Sequence, residues 1–189
     1  MTGRFSGRGM MAFAGGTMAA LLASRILPPI MAQAAGSARS SMGRDPFEGL
    51  IQDHRHFLDL LGQMEEAEDS GAFQRTQLLL RLKHALASHA MAEEDVVYPL
   101  LHDEAHSEDS ARQLYAEHGE IKRHLYAMER LVSKDPAAWV DHAHALRLLI
   151  QDHARHEEEV DFPRLRQMLS EEELNRMAGH IQREKALLL

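Results

Sequence analysis

Residues 89–99 read HAMAEEDVVYP, and residues 153–163 read HARHEEEVDFP. In both stretches a histidine is followed four residues later by a glutamate, then by a second glutamate and an aromatic–proline pair. Positions i and i+4 of an α-helix lie about 40° apart around the axis and one turn apart along it. His89 and Glu93 can therefore point at one object, and so can His153 and Glu157.

The repeat extends beyond these two stretches, because a shift of 64 residues also lays His54 on His118. The apolar positions that match at the same offset are Leu50, Leu61, Met64 and Leu82, which fall on Leu114, Leu125, Met128 and Leu146. The repeated unit is a helix hairpin, in which the first helix offers one histidine and the second offers His-x-x-x-Glu.

Apolar residues spaced by three and four predict helices over about residues 46–68, 72–101, 110–132 and 135–169. Helix-start signals of the N-cap, first-position and capping-box types occur at Asp45-Pro46, Asp135-Pro136 and Ser170 with Glu173. The last of these opens a shorter helix, and no alternating strand pattern occurs. We expect an all-α protein: an up-down-up-down four-helix bundle built from two repeated helix hairpins, with an N-terminal tail and a short C-terminal helix.

This pattern divides the chain into a tail and linker over residues 1–44, the bundle over residues 45–169 and the C-terminal helix over residues 170–189. In the tail, Arg4 and Arg8 precede an apolar run, a proline pair and an Ala-x-Ala site at residues 32–34, the outline of a secretory signal. Arg25 interrupts that outline, and the run is short for a membrane span. Two interpretations stay open: an exported, periplasmic or membrane-anchored protein, or a flexible tail on a cytoplasmic one.

Charge and composition exclude some functions. The tail holds five arginines and no acid, which leaves 16 of the 21 Lys and Arg against all 29 Asp and Glu. Because an acidic surface repels phosphates, we expect no nucleic-acid partner. The chain has no cysteine, so disulfides, thiolate metal ligands and cysteine nucleophiles are ruled out.

A pseudo-twofold bundle of these hairpins brings four imidazoles and two carboxylates toward one axis. This donor set suits Fe(II) or Mn(II), and two carboxylates related by near-twofold symmetry can bridge two ions. A ferritin-like site is disfavoured, since it uses Glu-x-x-His and none of the 13 histidines has that spacing. The alternative is that these residues are solvated helix-face groups, and the duplicated register argues for metal.

The Asp53-His54 and Glu117-His118 pairs, with the two His-x-x-x-Glu-Glu…aromatic-Pro segments, resemble the hemerythrin-like (HHE cation-binding) family over roughly residues 46–168. The resemblance implies a non-haem di-iron centre, two Fe ions with Mn or Zn as other candidates, and O₂, peroxide or NO as the small ligand. Carried over by position, the metal ligands are His54, His89, Glu93, His118, His153 and Glu157.

Lys122 marks a departure from that family, because oxygen-carrying hemerythrins have a histidine at its position. One metal would then have fewer imidazole ligands and a more open coordination sphere, which argues for binding or sensing small oxidants, or buffering iron, over oxygen carriage. Two other functions remain open: a di-iron oxidase or peroxidase-like enzyme, and a structural or interaction bundle stapled by metal. The sequence does not define the oligomeric state.

Overall fold

The computed structural model describes residues 45–103 and 108–188, and every regular element in these ranges is helical, as expected for an all-α protein. Seven α-helices are labelled here: α1 (Glu48–Glu65), α2 (Ala72–Ala92), α3 (Tyr98–Asp103), α4 (Glu108–Leu131), α5 (Pro136–His156), α6 (Phe162–Met168) and α7 (Glu171–Ala186). Two π-helical turns, π1 (Glu93–Val97) and π2 (Glu157–Asp161), continue α2 into α3 and α5 into α6.

The long helices form a bundle in which α1 packs against α2 and α5, and α4 packs against α5 and α2. Helix α3 lies against α4, and α7 lies against the outer side of α2. Each long helix therefore has one face turned toward a shared interior, where its apolar residues and its predicted site histidine are buried.

The predicted helix starts are partly confirmed. Asp135 accepts a hydrogen bond from the Ala138 N–H with Pro136 in the first turn, and Ser170 forms a complete capping box with Glu173. At α1 the helix begins two residues later than expected: Asp45 Oδ1 accepts from the Phe47 N–H, and a turn precedes Glu48.

The two π-helical turns were not predicted. In each, an N–H donates to the carbonyl five residues back: Tyr98 to Glu93, and Phe162 to Glu157. A proline follows immediately in both copies, and proline has no N–H with which to continue the regular ladder. The extra residue in the turn changes the direction of every side chain after the ligand-type glutamate.

Two apolar clusters fill the bundle, one on each side of the histidines. Phe57, Leu86, Ile121 and Ile150 belong to the first cluster. Leu50, Ala92, Leu114 and Phe162 belong to the second. Each histidine lies in sequence between a member of the first cluster and a member of the second. The four imidazoles therefore form a polar layer between the two apolar clusters.

Residues 1–44, with the signal-like segment and the linker, lie outside the described residues. Among the helices that are described, none combines the length and apolar character needed to cross a membrane.

Arg75 connects the ends of two helices at the end of the bundle that is remote from α3. It is 4% exposed. Its guanidinium donates to the carbonyls of Val132 at 2.9 Å and Glu68 at 3.1 Å, and also to those of Ala67 and Ser70. Carbonyls at helix ends lack partners within the helix, so one side chain here satisfies acceptors after both α1 and α4.

We predict that Arg75→Met lowers the free energy of unfolding by about 2–4 kcal/mol, because buried carbonyl oxygens lose their donors. Urea unfolding followed by circular dichroism measures the change. Arg81→Met, at an exposed position of the same helix, is the matched control and should change stability by less than about 0.5 kcal/mol. Equal effects of the two substitutions would contradict the assigned role.

Candidate metal centre

Five of the six residues predicted from the sequence meet at one point. His54, His89, Glu93, His153 and Glu157 each offer a ligand-type atom, and these atoms all lie within 4.8 Å of one another. All five side chains are buried, and the two glutamates are completely inaccessible. Their distribution over α1, α2, π1, α5 and π2 shows that the repeat offset in the sequence corresponds to a real spatial convergence.

The two glutamates each face both hairpins. Glu93 places Oε1 2.8 Å from His89 Nε2 on its own hairpin and Oε2 3.4 Å from His118 Nε2 on the other. Glu157 Oε2 lies 3.5 Å from His153 Nε2 and 3.2 Å from His54 Nε2, again one imidazole from each hairpin. Each buried carboxylate therefore lies between an imidazole of one hairpin and an imidazole of the other.

Each of the four histidines donates its Nδ1–H to a carboxylate outside the cluster. The pairs are His54–Glu158 at 2.8 Å, His89–Asp53 at 3.1 Å, His118–Glu94 at 2.8 Å and His153–Glu117 at 2.8 Å. Because a carboxylate only accepts, these bonds place a proton on each Nδ1, so that each imidazole in its neutral form would offer Nε2 as an electron-pair donor. All four imidazoles thus present the same nitrogen to the interior.

The orienting carboxylates obey the same pseudo-twofold symmetry as the ligands. The bond from His54 to Glu158 and the bond from His118 to Glu94 exchange under the repeat. Those from His89 to Asp53 and from His153 to Glu117 do so as well. The symmetry does not extend to the partners of these carboxylates. Lys185 of α7 pairs with Asp53, whereas Gln113 donates to the corresponding Glu117.

Atoms left without hydrogen bonds show that the residues fit a metal. Within the described residues, Glu93 Oε1, Glu157 Oε2 and His153 Nε2 are buried and accept or donate no hydrogen bond. His89 Nε2 approaches Glu93 Oε1 to 2.8 Å without hydrogen-bond geometry. Uncompensated buried polar atoms are costly. Neutral imidazole and carboxylate donors turned toward one volume are what a divalent cation would satisfy.

His118, the sixth predicted residue, lies at the edge of the cluster. Its Nε2 is 3.0 Å from the Tyr98 hydroxyl oxygen, which also lies 3.1 Å from Glu157 Oε1 and 3.3 Å from Glu93 Oε2. Tyr98 therefore occupies the space between His118 and the two glutamates. Regular helical spacing of 100° per residue predicts that Tyr98 packs at the end of the bundle, and the π1 turn instead directs its hydroxyl into the site.

The charges of the cluster are strongly coupled. Burial disfavours the His54 imidazolium, but the carboxylates of Glu157 and Glu93, which lie 3.2 Å and 3.8 Å from its Nε2, overcome this effect and raise the pKa of His54 to about 10. Burial also opposes ionisation of Glu93, yet the charge of His89 and hydrogen bonds from His118 and His54 hold its pKa well below the usual range. Burial and both carboxylates raise the pKa of Tyr98. Without metal, protons hold this cluster together.

Sequence reasoning missed Tyr98 and the four orienting carboxylates. The sequence does contain a pattern that indicates these carboxylates. An acidic residue precedes the histidine on the first helix of each hairpin, and a second glutamate follows each ligand-type glutamate. A lysine one turn from His118 can point into the bundle or extend its stem to solvent, so the sequence allows both positions for Lys122. Its side chain is 64% exposed, and its Nζ lies 3.1 Å from Glu94 Oε1, so it stays outside the cluster.

Comparison with known proteins identifies the family to which the chain is similar. The family model described as the hemerythrin HHE cation binding domain matches residues 45–165. A protein of Nostoc sp. named DNA nickase is 28% identical over 158 residues, which are 81% of this chain and 44% of that protein. The chain thus spans less than half the length of this curated relative. No solved structure matches significantly.

The name of that relative does not support the expectation that the chain has no nucleic-acid partner. Net charge is a sum over all residues and says nothing about how the charges are distributed locally, so the acidic balance alone was too weak an argument. The family match, in contrast, covers both copies of the repeat and all six predicted residues. The chain belongs to the hemerythrin HHE cation-binding domain family.

Proposed function

We propose that this chain holds a non-haem di-iron centre through His54, His89, Glu93, His118, His153 and Glu157. With that centre it binds or senses O₂, peroxide or NO, or buffers iron. The observation that carries the proposal is the set of four imidazoles held by carboxylates at Nδ1, with Nε2 turned toward two buried glutamates. Imidazole and carboxylate donors suit Fe(II), with Mn and Zn as the competing ions.

The residues of the chain would act as follows. One imidazole from each helix would bind metal, and Glu93 and Glu157, which each face both hairpins, would bridge. Bound iron would supply redox chemistry and open positions for a small oxidant. Tyr98 can donate a hydrogen bond at the site, and Lys122 lies outside it, so no side chain from that position closes the coordination sphere.

The same proposal assigns roles to the segments. Residues 45–169 would form the metal-binding bundle, with consecutive long helices running in opposite directions, as the six-residue connection between α1 and α2 favours. Residues 170–189 would add a helix outside the four, packed on α2.

A second candidate, an oxidase or peroxidase-like enzyme, is favoured by Tyr98. With peroxide as the oxidant, a buried phenol in contact with the site would give one electron to the oxidised metal centre and release one proton. Its hydroxyl lies within 3.3 Å of Glu93, Glu157 and His118, any of which could receive the proton. Turnover of peroxide with an added donor that is lost in Tyr98→Phe, with iron content unchanged, would identify the enzyme.

Metal analysis with an absorption spectrum tests the main proposal. We expect about two iron ions per chain after anaerobic reconstitution with Fe(II), near-ultraviolet charge-transfer absorption after oxidation, and spectral change of the reduced form on exposure to O₂ or NO. His89→Ala with His153→Ala should remove most of the iron, because one imidazole is lost from each hairpin.

His84→Ala, at an exposed position of α2, is the matched control and should retain full iron content. Iron binding that survives the double substitution would refute the proposed ligand set. A chain that takes up only zinc and shows no redox change would be a metal-stapled structural bundle.

The orienting carboxylates give a second prediction. Glu94→Gln and Glu158→Gln should each lower metal affinity about 10- to 100-fold, because an amide fixes the imidazole tautomer less strongly than a carboxylate. Competition with a chromophoric chelator measures the affinity. Asp95→Asn and Glu159→Asn, at the neighbouring exposed positions, should leave it unchanged. Affinity losses of equal size at the exposed positions would show a general charge effect.

A third prediction concerns the metal-free protein. The pKa of His54 rises from an ordinary value of 6.5 to about 10 on folding, so its contribution to stability is complete below pH 6.5 and is lost as pH rises through 10. The free energy of unfolding, measured with urea at successive pH values, should therefore fall between pH 7 and 10. His54→Asn should flatten this dependence, and bound metal should as well. A metal-free chain that is equally stable across this window would contradict the proton-held cluster.

A further inference from the structure

His124 of α4 and His142 of α5 face each other across the second hairpin. Their Nδ1 atoms lie 3.1 Å apart, and the planes of the two rings cross at 72°. Both side chains are half-buried, and each histidine directly precedes a buried residue of the first apolar cluster, Leu125 and Ala143. Packing of α4 against α5 therefore holds the two imidazoles together at a partly exposed position.

This pair lies apart from the candidate metal centre. His124 follows His118 by six residues, which corresponds to about 9 Å along α4 and about 120° around its axis. The charged neighbours that act on His124 are His142, Arg123 and Glu120. None of these residues belongs to the centre. The two sites thus use different faces and different levels of the same helix.

The repeat shows that both positions are suited to apolar packing. The offset of 64 residues that relates the hairpins lays Leu60 on His124 and Leu78 on His142. Both leucines are buried in the first apolar cluster. The second hairpin has two facing imidazoles where the first has two buried leucines, so apolar packing does not account for the histidines.

Neither imidazole is held by a carboxylate. Within the described residues, the hydrogen-bond partner of each Nδ1 is the Nδ1 of the other ring. Burial and the charges of His142 and Arg123 lower the pKa of His124, and the negative charge of Glu120 opposes this effect without overcoming it. At neutral pH the His124 ring is therefore neutral, and a neutral imidazole carries the electron pair that binds a metal.

The separation of the two nitrogens fits a single ion. At the usual zinc–nitrogen distance of about 2.0–2.1 Å, two nitrogens 3.1 Å apart subtend an angle of about 100° at the ion, between the octahedral and tetrahedral values. We propose that His124 and His142 form a second metal site, which binds one late first-row divalent cation of the zinc type and joins α4 to α5. Imidazole donors suit zinc, nickel and copper ions.

Water and one carboxylate can complete the coordination of that ion. Glu120 lies one turn before His124 on α4, and its present partner is Arg123. Both members of that ion pair are largely exposed, so exchanging the guanidinium for a cation costs little. The second site goes beyond the proposed function, since it requires neither the buried centre nor iron.

Zinc titration of the full chain, followed by NMR, tests the proposal. The carbon-bound ring protons of His124 and His142 should shift together and saturate with one dissociation constant, because one ion binds both rings. Two different constants, or no shift at either ring, would overturn the proposal. The titration is made on the metal-free chain and on the iron-loaded chain. A chain that binds no iron still gives a valid result, so the two proposals fail separately.

Equilibrium dialysis against zinc gives a second measurement. His142→Gln and His124→Gln should each bind about one zinc ion fewer per chain than the unaltered protein, because a single imidazole holds the ion too weakly. His144→Gln is the matched control on α5, since His144 is exposed and has Glu65 Oε1 2.7 Å from its Nδ1. This variant should keep the full zinc count. An unchanged count in the first two variants, or an equal loss in the control, would show adventitious binding only.

Discussion

The bundle depends on burying four imidazoles and two carboxylates in one layer between two apolar clusters. Such a layer is expensive unless every charge and every hydrogen-bonding atom finds a partner. Glu158, Asp53, Glu94 and Glu117 supply those partners at Nδ1, each from a neighbouring helix, and so connect the helices to one another. Three atoms of the layer, Glu93 Oε1, Glu157 Oε2 and His153 Nε2, have no hydrogen bond among the described residues, and protons or cations can compensate them. The layer therefore prescribes both the register of the helices and the chemistry of what can lie between them.

Much of this could be predicted from the sequence, because it depends on periodicity. The offset of 64 residues located six groups, five of which meet within 4.8 Å, and helical spacing gave the number and order of the long helices. What periodicity could not provide was the direction of side chains after Glu93 and Glu157. A calculation that assumes 100° per residue fails at a π-helical turn, and this is why Tyr98 was expected at the end of the bundle.

The position of Lys122 was undecidable from the sequence for a different reason. A lysine one turn from His118 can bury its stem and still reach solvent, so helical geometry allows both outcomes. The deciding factor is a tertiary one: Glu94 is already held by His118 Nδ1 near the surface and offers the ammonium a partner there. Similarly, no local pattern in the sequence indicates that α7 places Lys185 against Asp53.

That contact has a consequence for how a duplicated sequence can diverge. Two identical hairpins that associate as separate chains are equivalent. A segment added to that chain would therefore be present in both copies and would affect both in the same way. Within one fused chain, a single trailing helix can pack mainly against one half, as α7 does against α2 and π1. Lys185 places a cation behind Asp53 and His89, whereas the corresponding Glu117 and His153 have the neutral amide of Gln113. The duplication thus preserves symmetry where packing demands it and allows each half to acquire its own electrostatic character through elements outside the repeat.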